Sequence, residues 1–221
     1  MRFQDAAKDA RAIVYAGIQA DPLVARIAGL LADATPAEMV MARAVMNGET
    51  TDRARWAAMF PTIFPGGAGG DRAEAILDAA LAVADRGEQV RSQFRGAIVE
   101  ELTARLLAQR VGPSTIRRER RVLFDGVPAE IHPYDVTVEG EARAEVYDCK
   151  WGARGINADV LHQLDDARRH AADEGVKLFV ALVMFDGRRS CEVRLARSTA
   201  PREGTRLFTI ETLGRLAGRK E

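Results

Sequence analysis

Along the first 90 residues apolar positions return at steps of three and four: Ile13, Val14 and Ile18, then Leu23, Val24, Ile27, Leu30 and Leu31. That spacing gathers one face of an α-helix, and it predicts a small helical bundle. Thr35, Pro36 and Glu38 supply an N-cap, a proline at the first helical position and a glutamate three residues after the cap, so one helix starts there. The stretch FPTIFPGGAGGD, residues 60–71, breaks the pattern with its prolines and glycines and reads as a linker. A phosphate-binding loop would need Lys-Ser/Thr after such glycines, and Asp71-Arg72 stands there instead.

Helical spacing resumes in DRAEAILDAALAVADRG and in SQFRGAIVEELTARLLAQRVG, where Gly112 and Pro113 stop the second helix. The period then changes. TIRRERRVLF, AEIHPYDVTV and EARAEVYDCKW read as three strands, the last two forming a hairpin around Gly140. NADVLHQLDDARRHAADEG returns to helical spacing with Val160, Leu164 and Ala167 on one face. VKLFVALVMF is a continuous apolar run, as expected of a strand covered on both faces. A further strand is expected at CEVRLA, before the closing segment RLFTIETLGRL. The chain thus reads as an α/β protein: a helical domain with its linker over residues 1–88, and over 89–221 a domain ordered helix, three strands, helix, strand.

Composition narrows the setting without choosing a partner. The chain has 221 residues, 47% of them hydrophobic, enough for one sizeable core and a smaller satellite. Its 32 basic and 32 acidic residues cancel, so no whole-protein field favours a polyanion. Cys149 and Cys191 lack metal-type spacing and fit a reducing compartment. There is no secretory segment after Met1 and no apolar run near the roughly 18 residues of a membrane helix, so a soluble cytoplasmic protein is expected. His132, His162 and His170 show no ligand spacing, though His132 is close to Asp135.

The run EVYDCKW, residues 145–151, raises the chemical question. Side chains two apart on a strand share a face, so Val146, Asp148 and Lys150 project one way and Tyr147, Cys149 and Trp151 the other. A turn centred between Gly140 and Glu141 would pair Asp135 with Val146 and set Asp135 diagonal to Asp148, with the apolar residues packed on a helix across the sheet. Two carboxylates and an ammonium then converge. Carboxylates that close raise one another's pKa unless a cation lies between them, and hard oxygen donors with retained water suit Mg²⁺. Lys150 would orient or deprotonate a water beside the metal. Only Lys8, Lys150, Lys177 and Lys220 break the preference for arginine, which cannot accept a proton. As an isolated tripeptide, Asp148-Cys149-Lys150 would read instead as a surface ion pair.

Pro133 and Asp135 in HPYDV, with Asp148 and Lys150 in YDCK, resemble the motif of the PD-(D/E)xK nuclease superfamily, and the element order resembles its restriction-endonuclease-like αβββαβ core. Tyr134 separates the proline from the aspartate. The resemblance covers roughly residues 93–186 and leaves residues 1–90 outside. It implies a helix glutamate, matched by Glu100 in GAIVE with Glu101 adjacent, and a glutamine on the later helix, matched by Gln163; a tyrosine found four residues on in some members is Ala167 here. It further implies Mg²⁺ or Mn²⁺ held by Asp135, Asp148 and Glu100, with the backbone carbonyl of Cys149 as a further ligand. The activity implied is that of an endonuclease hydrolysing phosphodiester bonds, in DNA first, in restriction, defence or repair.

The basic clusters at residues 117–121, 167–169 and 187–189 are candidate phosphate contacts or solvated faces. Two other readings stand beside the nuclease. One is a binding module whose nuclease-like fold is an idle scaffold. The other is an interaction protein acting through its helical part, where the faces around Ile27 and Leu30 would dock a partner protein or a second copy.

Overall fold

The computed structural model describes residues 1–219 apart from Lys8, residues 129–131 and 141–143, and Arg202. Contacts divide the chain into two compact units, one of Ala10–Arg105 and one joining Met1–Asp9 to Leu106–Glu221. The division falls inside the long helix Glu88–Ala108 rather than before it. The first residues of the chain belong to the second unit.

The helical unit holds α1 (Ala10–Gln19), α2 (Pro22–Ala32), α3 (Pro36–Asn47), α4 (Arg53–Met59), α5 (Asp71–Ala84) and most of α6 (Glu88–Ala108). On α2 the buried positions are Val24, Ile27, Ala28, Leu31 and Ala32, the i, i+3, i+4, i+7, i+8 stripe of a helix facing a core. Ile27 is therefore core rather than docking surface. α3 begins as expected: Thr35 Oγ1 accepts from the Glu38 N–H, and the Glu38 carboxylate accepts from the Thr35 N–H at 2.7 Å. Arg72 of α5 clamps the same carboxylate through Nε at 3.1 Å and Nη2 at 3.0 Å. In the linker Gly66 and Gly67 take φ of 68° and 88°, where a side chain is strained. α1 departs from the bundle pattern, since none of its residues is buried and Ile13 and Val14 are 62% and 59% exposed.

In the other unit β1 (Arg2–Asp5), β2 (Ile116–Phe124), β4 (Tyr134–Glu139), β5 (Ala144–Lys150), β6 (Leu178–Met184) and β7 (Arg206–Phe208) form one mixed sheet in that order, and the two-residue β3 (Val127–Pro128) pairs with β2. The pairs β1/β2, β2/β4 and β4/β5 are antiparallel, while β5/β6 and β6/β7 are parallel. A parallel neighbour needs a crossover, and α7 (Ala158–Asp173) between β5 and β6 supplies it, capped by Asn157. The core packs Val146, Val180 and Leu182 with Leu161, Leu164, Ala167 and Ala171 of α7. Each Val or Leu among them contributes about 1.5–3 kcal/mol on burial.

Three expectations need correction. CEVRLA lies in helix α8 (Arg188–Ala196), not a strand; only Cys191 is buried there, and Arg188 pairs with Glu192 one turn on. β1 escapes a periodicity reading because four residues carry too little pattern. In the hairpin Val136 lies opposite Tyr147 and Thr137 opposite Val146, a shift of two from the expected register. Because side chains alternate with period two, a two-residue shift keeps every residue on its expected face. The expected turn includes Glu141, and residues 141–143 lie outside the described residues, as do residues 129–131 before β4.

Candidate metal and catalytic site

Continuing the β4/β5 register sets Asp135 directly opposite Asp148, at the end of β5 where the central strands give way to loops. Lys150 Nζ is 2.5 Å from Asp148 Oδ1 and 3.6 Å from Asp135 Oδ2, so one ammonium bridges both carboxylates. Asp135 Oδ2 also accepts the Cys149 N–H at 2.5 Å. An extended residue directs its N–H and C=O to the same edge, so the Cys149 carbonyl faces the β4 side too.

α7 covers the face that carries Val146, so the acidic end shares its face with the helix; the expected arrangement had the helix on the opposite face. Asp135, Asp148 and Lys150 line a cleft of about 390 Å³ there, completed by His132, Pro133 and, from the start of α7, residues including His162 and Gln163. Gln163 Nε2 donates to the His132 carbonyl at 3.1 Å, and Tyr134 donates to the Gln163 carbonyl. Gln163 thus borders the cleft while its amide nitrogen holds the approach to β4. Across the sheet Glu145 and Tyr147 meet Arg110, whose Nη1 and Nη2 clamp the Glu145 carboxylate at 3.0 and 2.6 Å.

The charges are strongly coupled. Burial first, then the negative charge of Asp135, push the Asp148 carboxyl up to about 6, against the opposing pull of Lys150. Burial by itself would lower the Lys150 pKa, but Asp135 and Asp148 outweigh it and hold the ammonium above the ordinary lysine range. The group is a donor and a positive charge in this arrangement. Asp148 is only 5% exposed, and the Lys150 ammonium meets its Oδ1 at 2.5 Å. Two carboxylates held this close, one of them buried, fit a divalent cation.

Glu100 lies in the helical unit, where it is buried and accepts hydrogen bonds from Tyr15 at 2.5 Å and Gln19 at 2.7 Å. Its neighbour Glu101 pairs with Arg105 one turn away. The basic clusters are largely engaged. Arg120 pairs with Asp5 and Glu139, Arg168 and Arg169 pair with Asp165, and Arg188 pairs with Glu192.

Two acids escaped the sequence reading. Glu119, hidden inside RRERR, has φ of 52° and brings a carboxylate oxygen within 4.8 Å of one from Asp135. The β2/β4 register sets the two residues opposite each other, and an acid among arginines facing a candidate ligand was the available signal. Asp186, buried just past β6, holds the loop after Lys150 through the Ala153 N–H at 2.8 Å. An acid at the carboxyl end of a parallel strand was its signal.

The chain is a mixed α/β protein whose candidate site opens at the end of a sheet. No family model matches it, and no curated protein is similar to it at a meaningful level. Among solved structures it is similar to the crystal structure of protein VC1899 from Vibrio cholerae, with a TM-score of 0.51 and 15% identity. The match covers 98% of this chain and 57% of that one, so this chain spans little more than half of its neighbour's length. At that identity the likeness is one of fold alone. Among the described residues no helix is long and apolar enough to cross a membrane.

Proposed function

We propose that the chain is a divalent-metal-dependent phosphodiesterase acting on nucleic acid, DNA first, through a restriction-endonuclease-like core made of α6, β2, β4, β5, α7 and β6. The observation that carries this reading is the meeting of Asp135, Asp148 and Lys150 in one cleft, with the Asp148 carboxylate buried beside that of Asp135. Asp135 and Asp148 would hold Mg²⁺ or Mn²⁺, the Cys149 carbonyl lies toward the same edge, and Glu100 is the further carboxylate that this reading calls on. A bound divalent cation supplies charge neutralisation at phosphoryl oxygens and a water of lowered pKa.

The chain's own groups have definite tasks. Asp135 is fixed by the Cys149 N–H, so its remaining oxygen has a set direction. Lys150, held as a cation, donates to the attacking water or to a phosphoryl oxygen and stabilises the charge that develops there. Mn²⁺ calorimetry combined with a cleavage assay on duplex DNA tests the reading. Metal-supported cleavage abolished by chelator is the expected result, and undiminished cleavage in excess chelator contradicts it.

A second reading draws on α1, whose lack of buried residues favours an interaction surface in the helical unit for a partner protein or a second copy. Size-exclusion chromatography of an Ile13→Ser/Val14→Ser variant against the parent tests it, with loss of an assembled species the expected outcome.

A further inference from the structure

We infer that Asp186 and Gly155 are positioning residues for Lys150, acting through the short turn Ala153–Gly155; the catalytic consequence rests on the hydrolytic reading proposed above. The chain leaves β5 at Lys150 and turns back over it at once. A Cβ built on Gly155 would lie 2.8 Å from both Cβ and Cγ of Lys150 and 3.1 Å from Cδ. The first two atoms sit at the root of the side chain, where no far-end rotation relieves the clash. Gly155 is absent from the glycines with positive φ, so space rather than backbone conformation excludes a side chain there. The turn is the wall against which the lysine stem lies.

That wall is tied down along its length. The Phe185 N–H donates to the Lys150 carbonyl at 2.9 Å, and Trp151 stacks on Phe185 with ring centroids 4.9 Å apart. In the middle, Asp186 Oδ2 accepts the Ala153 N–H at 2.8 Å while Oδ1 accepts the Gly187 N–H at 2.8 Å. At the far end Arg194 Nε donates to the Ile156 carbonyl at 3.0 Å. Asp186 is 7% exposed, and with one oxygen on each side it fastens the turn to the end of β6. Since β5 and β6 are paired in register through Lys150 and Met184, the turn's height above Lys150 is set by the sheet. A charge-assisted acceptor makes that tether short and stiff. The ammonium that bridges Asp135 and Asp148 is thereby aimed from behind as well as drawn from in front.

The test reads the lysine directly. Only four lysines occur in the chain, so Nζ and Cε resonances of the isotope-labelled full-length protein can be assigned with a Lys150→Arg variant. Gly155→Ala should shift the Lys150 resonances and leave those of the other lysines in place, and Asp186→Asn, which keeps the shape but loses one acceptor, should shift them in the same sense. Mn²⁺ affinity by calorimetry should change by less than about twofold, because Asp135 and Asp148 stay in place, while kcat for metal-supported hydrolysis falls by about 10²-fold and KM holds, the scale of a displacement near 1 Å. Unmoved Lys150 resonances in Gly155→Ala overturn the inference, and unmoved resonances in Asp186→Asn overturn the part given to Asp186. If the resonances move but the parent protein shows no hydrolysis with any metal, the positioning stands and the hydrolytic reading falls.

Discussion

Arg110→Met and Glu145→Gln should destabilise the sheet unit unequally. Glu145 is fully buried on β5, and Arg110 clamps it with both Nη atoms while donating from Nη2 to Tyr147 at 3.2 Å and from Nε to the Leu216 carbonyl at 3.1 Å. Arg110 keeps 23% of its side chain exposed, so its charge can turn to water when Glu145 is neutralised. Glu145 has no such escape when Arg110 goes. Removing one partner of a buried ion pair costs about 3–5 kcal/mol, and Arg110→Met should reach that range because the Tyr147 hydroxyl, which still donates to the carboxylate, does not balance its charge. Glu145→Gln keeps the shape and an acceptor and should cost about 1–2 kcal/mol. The assay uses a convenient division, since Trp56 belongs to the helical unit and Trp151 to the sheet unit. In a Trp56→Phe background, urea titration followed by Trp151 fluorescence reports the sheet unit alone. Equal costs, or a larger cost for Glu145→Gln, would refute the argument that exposure of one partner sets the asymmetry.

Three further outcomes follow from the same charges. With the Asp148 carboxyl pushed up to about 6 by burial and by Asp135, a metal must displace a proton below that pH, and Mn²⁺ affinity measured by calorimetry should fall about fivefold between pH 6 and pH 5; a flat profile over that range counts against Asp148 as a ligand. For Glu38 burial alone would raise the pKa, but Arg72 and Thr35 outweigh it and hold the carboxyl below its usual range. Its stabilising effect is present above the unfolded carboxylate range and is lost as pH falls through the lowered folded value, so Glu38→Gln should cost the helical unit about 1 kcal/mol at pH 7 and progressively less in acid, read by Trp56 in a Trp151→Phe background. A cost that grows on acidification reverses the sign and rejects the assignment. Glu100→Gln should weaken Mn²⁺ binding if Glu100 is a ligand, and unchanged calorimetry removes it from the site.

What was legible in the sequence is what local pattern controls. The i, i+3, i+4 stripe of α2 and the Thr35–Glu38 box depend on neighbours a few residues away, and both were readable from them. The alternation in EVYDCKW placed Asp148 and Lys150 on one face, and Asp135 joined them because a two-residue shift preserves faces. Long-range terms stayed hidden. β1 exists because β2 offers an edge 115 or more residues later. Glu119 was masked by the arginines around it, and its carboxylate meets Asp135 only through the strand register. The role of Gly155 is a matter of the space beside Lys150, which no spacing along the chain records. The helix covering the acidic face was put on the wrong side because alternation gives two faces and does not say which one α7 will take.

The most direct measurement is cleavage of plasmid, linear and single-stranded DNA, and of RNA, by the parent, Lys150→Arg and Asp148→Asn proteins with Mg²⁺ or Mn²⁺ and with chelator. The account predicts metal-dependent cleavage by the parent. It predicts that Lys150→Arg melts like the parent, still binds Mn²⁺, and loses hydrolysis by at least about 10²-fold, because a broad guanidinium cannot replace one ammonium set between two carboxylates. Asp148→Asn should lose metal affinity and activity together. Cleavage by the arginine variant at close to the parent rate, or cleavage by the parent in excess chelator, would contradict the claim that Asp135, Asp148 and Lys150 form a metal-assisted hydrolytic site.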